Sequence, residues 1–169
     1  GGSANASEQI LYELMELKTK MPIVVSFGDV AASGGYYIAL ASDKIYAQPN
    51  TITGSIGVFG MIPNAQKLFN NVGLDFDEVK TNANAGQLKS ITTPLSSTAE
   101  NTMKKSIVLI YNKFVNHVAK NRKMTFEQVN KIGEGRVWSG TRAKKIGLVD
   151  EFGSLNDAID EAAKLAKIE

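Results

Sequence analysis

Apolar residues recur with helical spacing close to the start of the chain. Between residues 7 and 20 they occupy positions 10, 11, 14, 15 and 17, which places them on one face of an amphipathic helix. Pro22 ends this pattern, because proline has no N–H with which to continue a helix. The β-branched run at residues 23–27 that follows predicts a buried strand.

Elements of alternating type follow in the first half of the chain. The hydrophobic pattern predicts a helix over 32–41, strands over 44–47 and 55–59, a helix over 64–72 and a strand over 74–80. Strands that alternate with helices are typical of an α/β layered domain with a mostly parallel sheet. We therefore predict this fold class, with residues 1–169 forming a single domain.

The second half of the chain is predicted to be almost entirely helical. Capping boxes begin at Ser97, Thr125 and Ser154, where a hydroxyl residue is followed three positions later by Glu, Gln or Asp. The first of these helices is predicted to extend to about residue 121. Residues 81–96 are polar and poorly periodic, and they form the longest predicted loop.

Composition narrows the function classes. The 169 residues include 43% apolar and 21% charged residues, which is typical of a soluble globular domain. A net charge of +2 gives no basis for nucleic-acid binding. Without cysteine and with a single histidine, the chain lacks the usual ligands of a zinc site, and it carries no phosphate-binding glycine motif. We therefore expect neither a metal nor a cofactor.

Ser33 is the candidate nucleophile of this chain. A short β-branched strand gives way at residues 31–35 to Ala-Ala-Ser-Gly-Gly, and a helical pattern follows. A serine at such a turn can present its hydroxyl beside the unpaired N–H groups of a helix N-terminus. Ala31 stands where the hydrolase pattern G-x-S-x-G has its first glycine, so an N-cap serine is the local alternative to a nucleophile.

Several motifs in sequence order extend this observation along nearly the whole chain. They are Ser-Gly-Gly-Tyr-Tyr at 33–37, Ala-Ser-Asp-Lys-Ile-Tyr-Ala at 41–47, Thr-Gly-Ser-Ile-Gly-Val at 53–58, Gly-Arg-Val-Trp-Ser-Gly at 135–140 and Ala-Lys-Lys-Ile-Gly-Leu-Val-Asp at 143–150. With these motifs the chain resembles the signal peptide peptidase A (protease IV) family, and in particular the serine-bearing C-terminal half of its long two-domain members. The resemblance implies a Clp-protease/crotonase-like fold, here expected to lack its first strands.

The resemblance also assigns roles to residues. It implies a serine peptidase with a Ser/Lys dyad, in which Ser33 is the nucleophile and Ser55 hydrogen-bonds the lysine. The backbone N–H groups of Gly34 and Gly2 would bind the oxyanion, with residues 1–3 as the end of a Pro-Gly-Gly-Ser motif. Two alternatives stay open, namely Ser55 as a turn serine that bonds its own backbone, and Gly-Gly-Ser as a cloning linker.

The general base is the open question at this stage. His117 lies in the middle of a predicted helix and far from any turn, which disfavours a Ser-His-Asp triad. The resemblance implies a lysine, either Lys89 in the predicted loop or a lysine supplied by another half of the protein, and we favour the second. A lysine serves as a base only where burial leaves its amine neutral near pH 7.

Substrates, partners and location follow from the resemblance alone. It implies peptide substrates such as cleaved signal peptides, identical subunits in a ring, and a bacterial parent chain anchored in the membrane with its catalytic part in the periplasm. No apolar run of this chain approaches the ~20 residues that span a bilayer, so we expect the fragment itself to be soluble. A non-catalytic assembly module and a crotonase-like coenzyme A enzyme are the alternatives, although the second lacks an acidic pair near Ser33.

Overall fold

The computed structural model describes residues 1–82, 85, 86, 88 and 90–168. The chain divides into two compact units. Unit 1 comprises Gly1–Val58 and Ile110–Glu169, and unit 2 comprises Phe59–Leu109. All strands found in the described residues belong to unit 1, so the sheets that support the candidate site are built from that unit.

Helices and strands are interleaved along the chain. The helices are α1 (Ala4–Lys18), α2 (Gly34–Ala39), α3 (Gln66–Asn71), α4 (Ser97–Arg122), α5 (Phe126–Ile132), α6 (Gly140–Lys145) and α7 (Leu155–Ala166). The strands are β1 (Val24–Ser26), β2 (Val30–Ala32), β3 (Lys44–Ala47), β4 (Ile52–Gly54), β5 (Val137–Ser139) and β6 (Glu151–Phe152). None of the helices in the described residues is both long enough and apolar enough to cross a lipid bilayer.

The strands form two small sheets in the described part of unit 1. β1, β3 and β6 form a parallel sheet in the order β1-β3-β6, with Val25 opposite Ile45. In the second sheet, β2 pairs with β4 in parallel, and β4 pairs with β5 in antiparallel orientation. The predicted α/β class with a mostly parallel sheet is thus confirmed.

The core of unit 1 collects apolar side chains from elements that are far apart in the sequence. Its buried members include Leu11 of α1, Leu40 after α2, Ile45 of β3, Val115 of α4 and Leu148. Burying a side chain of this size stabilises the fold by about 1.5–3 kcal/mol. α1 and α2 are therefore held in place by a shared core.

The strand predicted over residues 55–59 is wrong, and the observed strand β4 lies earlier in the chain. Ser55 has a φ of 48°, in the left-handed region, and its N–H donates to the Arg136 carbonyl at 2.8 Å. A left-handed residue turns the chain out of the extended direction, so β4 ends at Gly54.

Three further elements differ from the prediction. Residues 74–80 form no strand, and their side chains are exposed, with Val79 fully so. α4 is capped by Ser96 and not by Ser97, because the Ser96 hydroxyl accepts a hydrogen bond from the Ala99 N–H at 3.1 Å. β5 and β6 interrupt the half predicted to be almost entirely helical, and at 3 and 2 residues they are too short to show a period.

Unit 2 combines α3 with the first part of α4. The ring of Phe69 contacts the ring of Phe76, with centroids 4.8 Å apart, and the Ala65 N–H donates to the Ile91 carbonyl at 2.7 Å. Phe59 and Met61 are 85% and 81% exposed. Unit 2 therefore presents large apolar side chains to its surroundings.

Candidate active site

Ser33 occupies a tight turn between a strand and a helix. β2 ends at Ala32 and α2 begins at Gly34, so Ser33 alone separates them. Its φ of 54° and ψ of −118° lie outside the regions that L-residues prefer. Backbone strain of this kind costs about 1–3 kcal/mol and is concentrated at functional sites.

The backbone of Ser33 is fixed on both sides, whereas its hydroxyl is not used as a helix cap. The Ser33 N–H donates to the Gly54 carbonyl at 2.9 Å, and the Ser33 carbonyl accepts from the Tyr37 N–H at 2.8 Å. The side chain is half-buried and makes no capping hydrogen bond. The N-cap alternative is therefore not realised, and the hydroxyl remains available for chemistry.

Two glycines at the start of the chain lie against this turn. A methyl group added at Gly34 would lie 2.6 Å from Ser7 Oγ. The same methyl group would lie 3.4 Å from the Gly2 nitrogen and 3.5 Å from the Gly1 carbonyl carbon. The absence of a side chain at position 34 thus allows the close approach of the two segments. The structure brings together Ser33, Gly34 and Gly2, the residues that sequence reasoning named as nucleophile and oxyanion donors.

Ser55 directly follows β4, the strand that pairs with the strand preceding Ser33. Ala32 of β2 lies opposite Gly54 of β4 in the parallel register, and the Ser33 N–H donates to the Gly54 carbonyl at 2.9 Å, so the backbone of Ser33 contacts the peptide unit that joins Gly54 to Ser55. Like Ser33, Ser55 is half-buried and has a positive φ. Within the described residues, the two hydroxyls have no hydrogen-bond partner.

Glycines from distant parts of the sequence shape the turn after β4. Gly54 has a φ of 76°, and a methyl group there would lie 2.7 Å from Trp138 Cδ1. A methyl group on Gly57 would lie 2.7 Å from the Gly135 Cα. The two sequence motifs that contain these glycines therefore pack against each other. The sequence shows both motifs but does not predict that they are in contact. The glycines in each motif are the feature that could have indicated such a close approach.

The described residues place no lysine or histidine in a hydrogen bond with Ser33 or Ser55. Lys89 lies outside the described residues. His117 is half-buried in α4, as expected, and its Nε2 lies 3.5 Å from Glu8 Oε2. Lysines paired with carboxylates at 2.5–3.1 Å are Lys18, Lys44, Lys80, Lys104, Lys113 and Lys144.

An apolar groove of about 360 Å³ lies beside the turn. Its walls come from α1, β1, β2 and α2, and they include Leu14, Val25, Val30 and Ile38. Among the described residues, β1 and β2 are each the outermost strand of their sheet. An outermost strand presents N–H and C=O groups that a further strand can pair with.

The profile of Peptidase family S49 matches residues 15–169 of this chain. The chain belongs to peptidase family S49. It is 44% identical over 169 residues to Protease 4 of Salmonella typhi, which covers 99% of this chain and 27% of that protein. It is 37% identical over 172 residues to the putative signal peptide peptidase SppA of Enterococcus faecium, which covers 99% of this chain and 49% of that protein. The resemblance to the protease IV family is thus confirmed, and this chain spans between about a quarter and a half of these relatives.

Two solved protease structures can be compared with this chain. The 1510-N membrane-bound stomatin-specific protease superimposes on 100% of this S49 chain and 68% of its own chain, with a TM-score of 0.56 and 15% identity. At that identity the likeness shows a shared fold. ClpP1 of Listeria monocytogenes is similar over 93% of this chain and 89% of its own, with a TM-score of 0.49 and 16% identity.

Proposed function

We propose that this chain is the nucleophile-bearing domain of a serine endopeptidase that cleaves apolar peptides, such as the remnants of cleaved signal peptides. The observation that carries the proposal is the strained turn at Ser33, whose hydroxyl does not cap α2 and whose next residue, Gly34, packs closely against the Gly2 nitrogen. Membership of family S49, and relatives named Protease 4 and signal peptide peptidase, support the same class of reaction.

The first half of the proposed reaction acylates the serine. Ser33 Oγ attacks the carbonyl carbon of the scissile peptide bond while a neutral lysine amine takes the hydroxyl proton. The carbonyl oxygen becomes an oxyanion and accepts hydrogen bonds from the N–H groups of Gly34 and Gly2, each contributing about 3 kcal/mol of transition-state stabilisation. The C–N bond then breaks, and the protonated lysine gives its proton to the departing amine.

The second half of the reaction releases the acyl group. The lysine amine, neutral again, takes a proton from a water molecule whose oxygen attacks the ester carbon. Ser33 Oγ departs and regains its proton from the lysine, which leaves a free carboxylic acid. In this proposal Ser55 hydrogen-bonds the lysine and keeps its lone pair directed at Ser33. The lysine comes from another half of the protein and not from position 89.

The open sheet edges support a partner for this chain. An extended apolar segment from the remainder of a longer protein would pair with β1 or β2 and cover the groove beside the turn. Identical subunits would complete a ring, and the exposed apolar side chains of unit 2 suit such contacts. We place the parent chain in a bacterial membrane, with this domain in the periplasm.

Substitution of Ser33 tests the proposal. Ser33→Ala in the full-length protein is expected to abolish hydrolysis of a fluorogenic apolar peptide and labelling by a fluorophosphonate, since both require the hydroxyl. The matched control is Ser106→Ala, because Ser106 is an exposed serine of α4 whose hydroxyl donates to the Thr102 carbonyl of the same helix. Both variants should keep the wild-type circular dichroism spectrum. Undiminished hydrolysis by Ser33→Ala would refute the assignment.

A further inference from the structure

A charged and hydrogen-bonded cluster joins three helices of unit 1. It consists of Glu8 on α1, Tyr37 on α2, and Lys113 and His117 on α4. The Tyr37 hydroxyl donates to Glu8 Oε2. Lys113 Nζ lies 2.6 Å from Glu8 Oε1, and His117 Nε2 lies 3.5 Å from Glu8 Oε2. The proposed serine–lysine mechanism uses none of these four side chains, so their arrangement requires a separate explanation.

Tyr37 is the buried centre of the cluster. Its side chain is 5% exposed, and its ring contacts Phe114 and His117, with centroids 4.7 Å and 5.5 Å away. Aromatic packing of this kind fixes the orientation of a ring. The hydroxyl is thereby held towards Glu8.

The charges of the cluster fix the direction of the hydrogen bond. Burial works to raise the pKa of Glu8, but the hydrogen bonds from Lys113 and Tyr37 outweigh it and hold that pKa below its usual value. Burial and the bond to Glu8 raise the pKa of the Tyr37 phenol. The phenol therefore stays protonated and donates, and the carboxylate stays ionised and accepts. Hydrogen bonds to an ionised acceptor are roughly twice as strong as neutral ones.

On the α2 side, the cluster is attached to the serine turn. The Tyr37 N–H donates to the Ser33 carbonyl at 2.8 Å, which closes the first turn of α2. Gly34 lies within that turn. Tyr37 is thus connected through one backbone hydrogen bond to the turn that carries the Gly34 amide.

On the α1 side, the cluster is attached to the N-terminal glycines. Glu8 follows Ser7, whose Oγ would lie 2.6 Å from a methyl group added at Gly34. The Ser7 N–H donates to the carbonyl of Ser3 at 3.0 Å, and Ser3 directly follows Gly2. Glu8 is thus connected, through Ser7 and Ser3, to the segment that carries the Gly2 amide.

We propose that Tyr37 and Glu8 are positioning residues for the oxyanion site, and that their hydrogen bond sets the separation between the amides of Gly34 and Gly2. The inference rests on the proposed function. Two donors stabilise an oxyanion together only when both reach the same oxygen, and a misplacement of about 1 Å can reduce a rate about 100-fold.

Removing the Tyr37 hydroxyl tests the inference in the full-length enzyme. Tyr37→Phe keeps the packed ring, and we expect kcat to fall about 10- to 100-fold while KM changes less than about twofold, because the oxyanion forms only in the transition state. Tyr36→Phe is the matched control, since it removes a neighbouring buried hydroxyl that donates to the Leu148 carbonyl at 2.8 Å. We expect this control to lower the melting temperature and keep kcat. If Tyr37→Phe also lowers only the melting temperature, the cluster is merely structural and the inference is wrong.

A second measurement does not depend on turnover. Glu8→Gln removes the charge that Tyr37 and Lys113 bind, and we expect the amide ¹H–¹⁵N signals of Gly2 and Gly34 to shift. Glu13→Gln on the exposed side of α1 should leave both signals in place. Unchanged glycine signals in Glu8→Gln would overturn the inference. Hydrolysis that survives Ser33→Ala would instead refute the proposed function, so the two failures are distinguishable.

Discussion

At the scale of single residues, the tightest packing around the candidate site is at position 34. Because an added methyl group would lie 2.6 Å from Ser7 Oγ, Gly34→Ala is expected to lower the free energy of unfolding by about 1–3 kcal/mol. At Gly35 of α2 a methyl group would meet no atom within 4 Å. The control Gly35→Ala should therefore raise the free energy of unfolding by up to about 1 kcal/mol, because alanine favours a helix more than glycine does. Urea unfolding measures both values.

A double variant identifies the contact that is responsible. Ser7→Ala removes the hydroxyl oxygen and makes room, so it should recover part of the stability lost in Gly34→Ala. If the two effects simply add, Ser7 is not the residue that excludes a side chain at position 34.

At this scale, the sequence predicts those features that are formed by residues adjacent in the chain. Ser33 was identifiable because a β-branched run, the serine and two glycines are contiguous. The contact between Ser7 and Gly34 could not be identified from the sequence, because only the packing of α1 on α2 brings these residues together. The positive φ of Ser55 likewise depends on a partner far along the chain, the Arg136 carbonyl.

At the scale of elements, a half-buried ion pair connects the end of α4 to the segment before β6. Arg122 reaches both carboxylate oxygens of Asp150, at 2.6 Å and 3.0 Å, and the Ile45 N–H of β3 donates to the same carboxylate at 2.8 Å. Burial works to raise the pKa of Asp150, but the bonds from Arg122 and Ile45 outweigh it and lower that pKa. The pair therefore connects three elements only while Asp150 is ionised.

This pair predicts a defined pH dependence of stability. A carboxyl group whose pKa is lower in the folded state adds stability that is complete above its unfolded pKa of about 3.9 and is lost as the pH falls through the folded pKa. Asp150→Asn should therefore cost about 1–3 kcal/mol at pH 7, because it removes the charged acceptor of the Arg122 guanidinium, and its deficit should shrink below about pH 4. Chemical unfolding across this pH range measures the deficit.

The exposed pair of Lys144 and Glu151 supplies the control for that series. Glu151→Gln should change stability little at any pH, because exposed ion pairs are screened by solvent. A deficit of Asp150→Asn that stays constant as the pH falls would contradict the role of the ionised carboxylate.

The sequence predicts elements that are specified by neighbouring residues. It does not predict elements that form only by pairing with a distant part of the chain. The capping boxes at Thr125 and Ser154 are confirmed, because each is formed by neighbouring residues. β5 and β6 pair with β4 and β3, and at three and two residues they are too short for their sequences to show a strand period. The predicted strand over residues 74–80 shows the reverse case, because this segment, in which apolar and charged residues are interspersed, has no partner strand among the described residues and forms no strand.

At the scale of the whole molecule, the alternation of strands and helices predicts the α/β class. The same alternation does not show whether this chain contains every residue of the candidate site. The turn at Ser33 and the two glycines proposed to bind the oxyanion, Gly2 and Gly34, lie in unit 1. The open edges of β1 and β2, and the absence of a lysine bonded to Ser33 among the described residues, are consistent with a site that another part of the protein completes.

Substitution of Lys89 decides where the proposed base comes from. If another half of the protein supplies it, Lys89→Ala in the full-length protein should keep near-wild-type peptide hydrolysis, and so should the control Lys67→Ala at an exposed lysine of α3. In both variants activity should still rise with pH as the true base loses its proton. Complete loss of hydrolysis in Lys89→Ala, with Lys67→Ala unaffected, would assign the base to this chain, because a neutral amine within reach of Ser33 is the one group that the proposed acylation step requires.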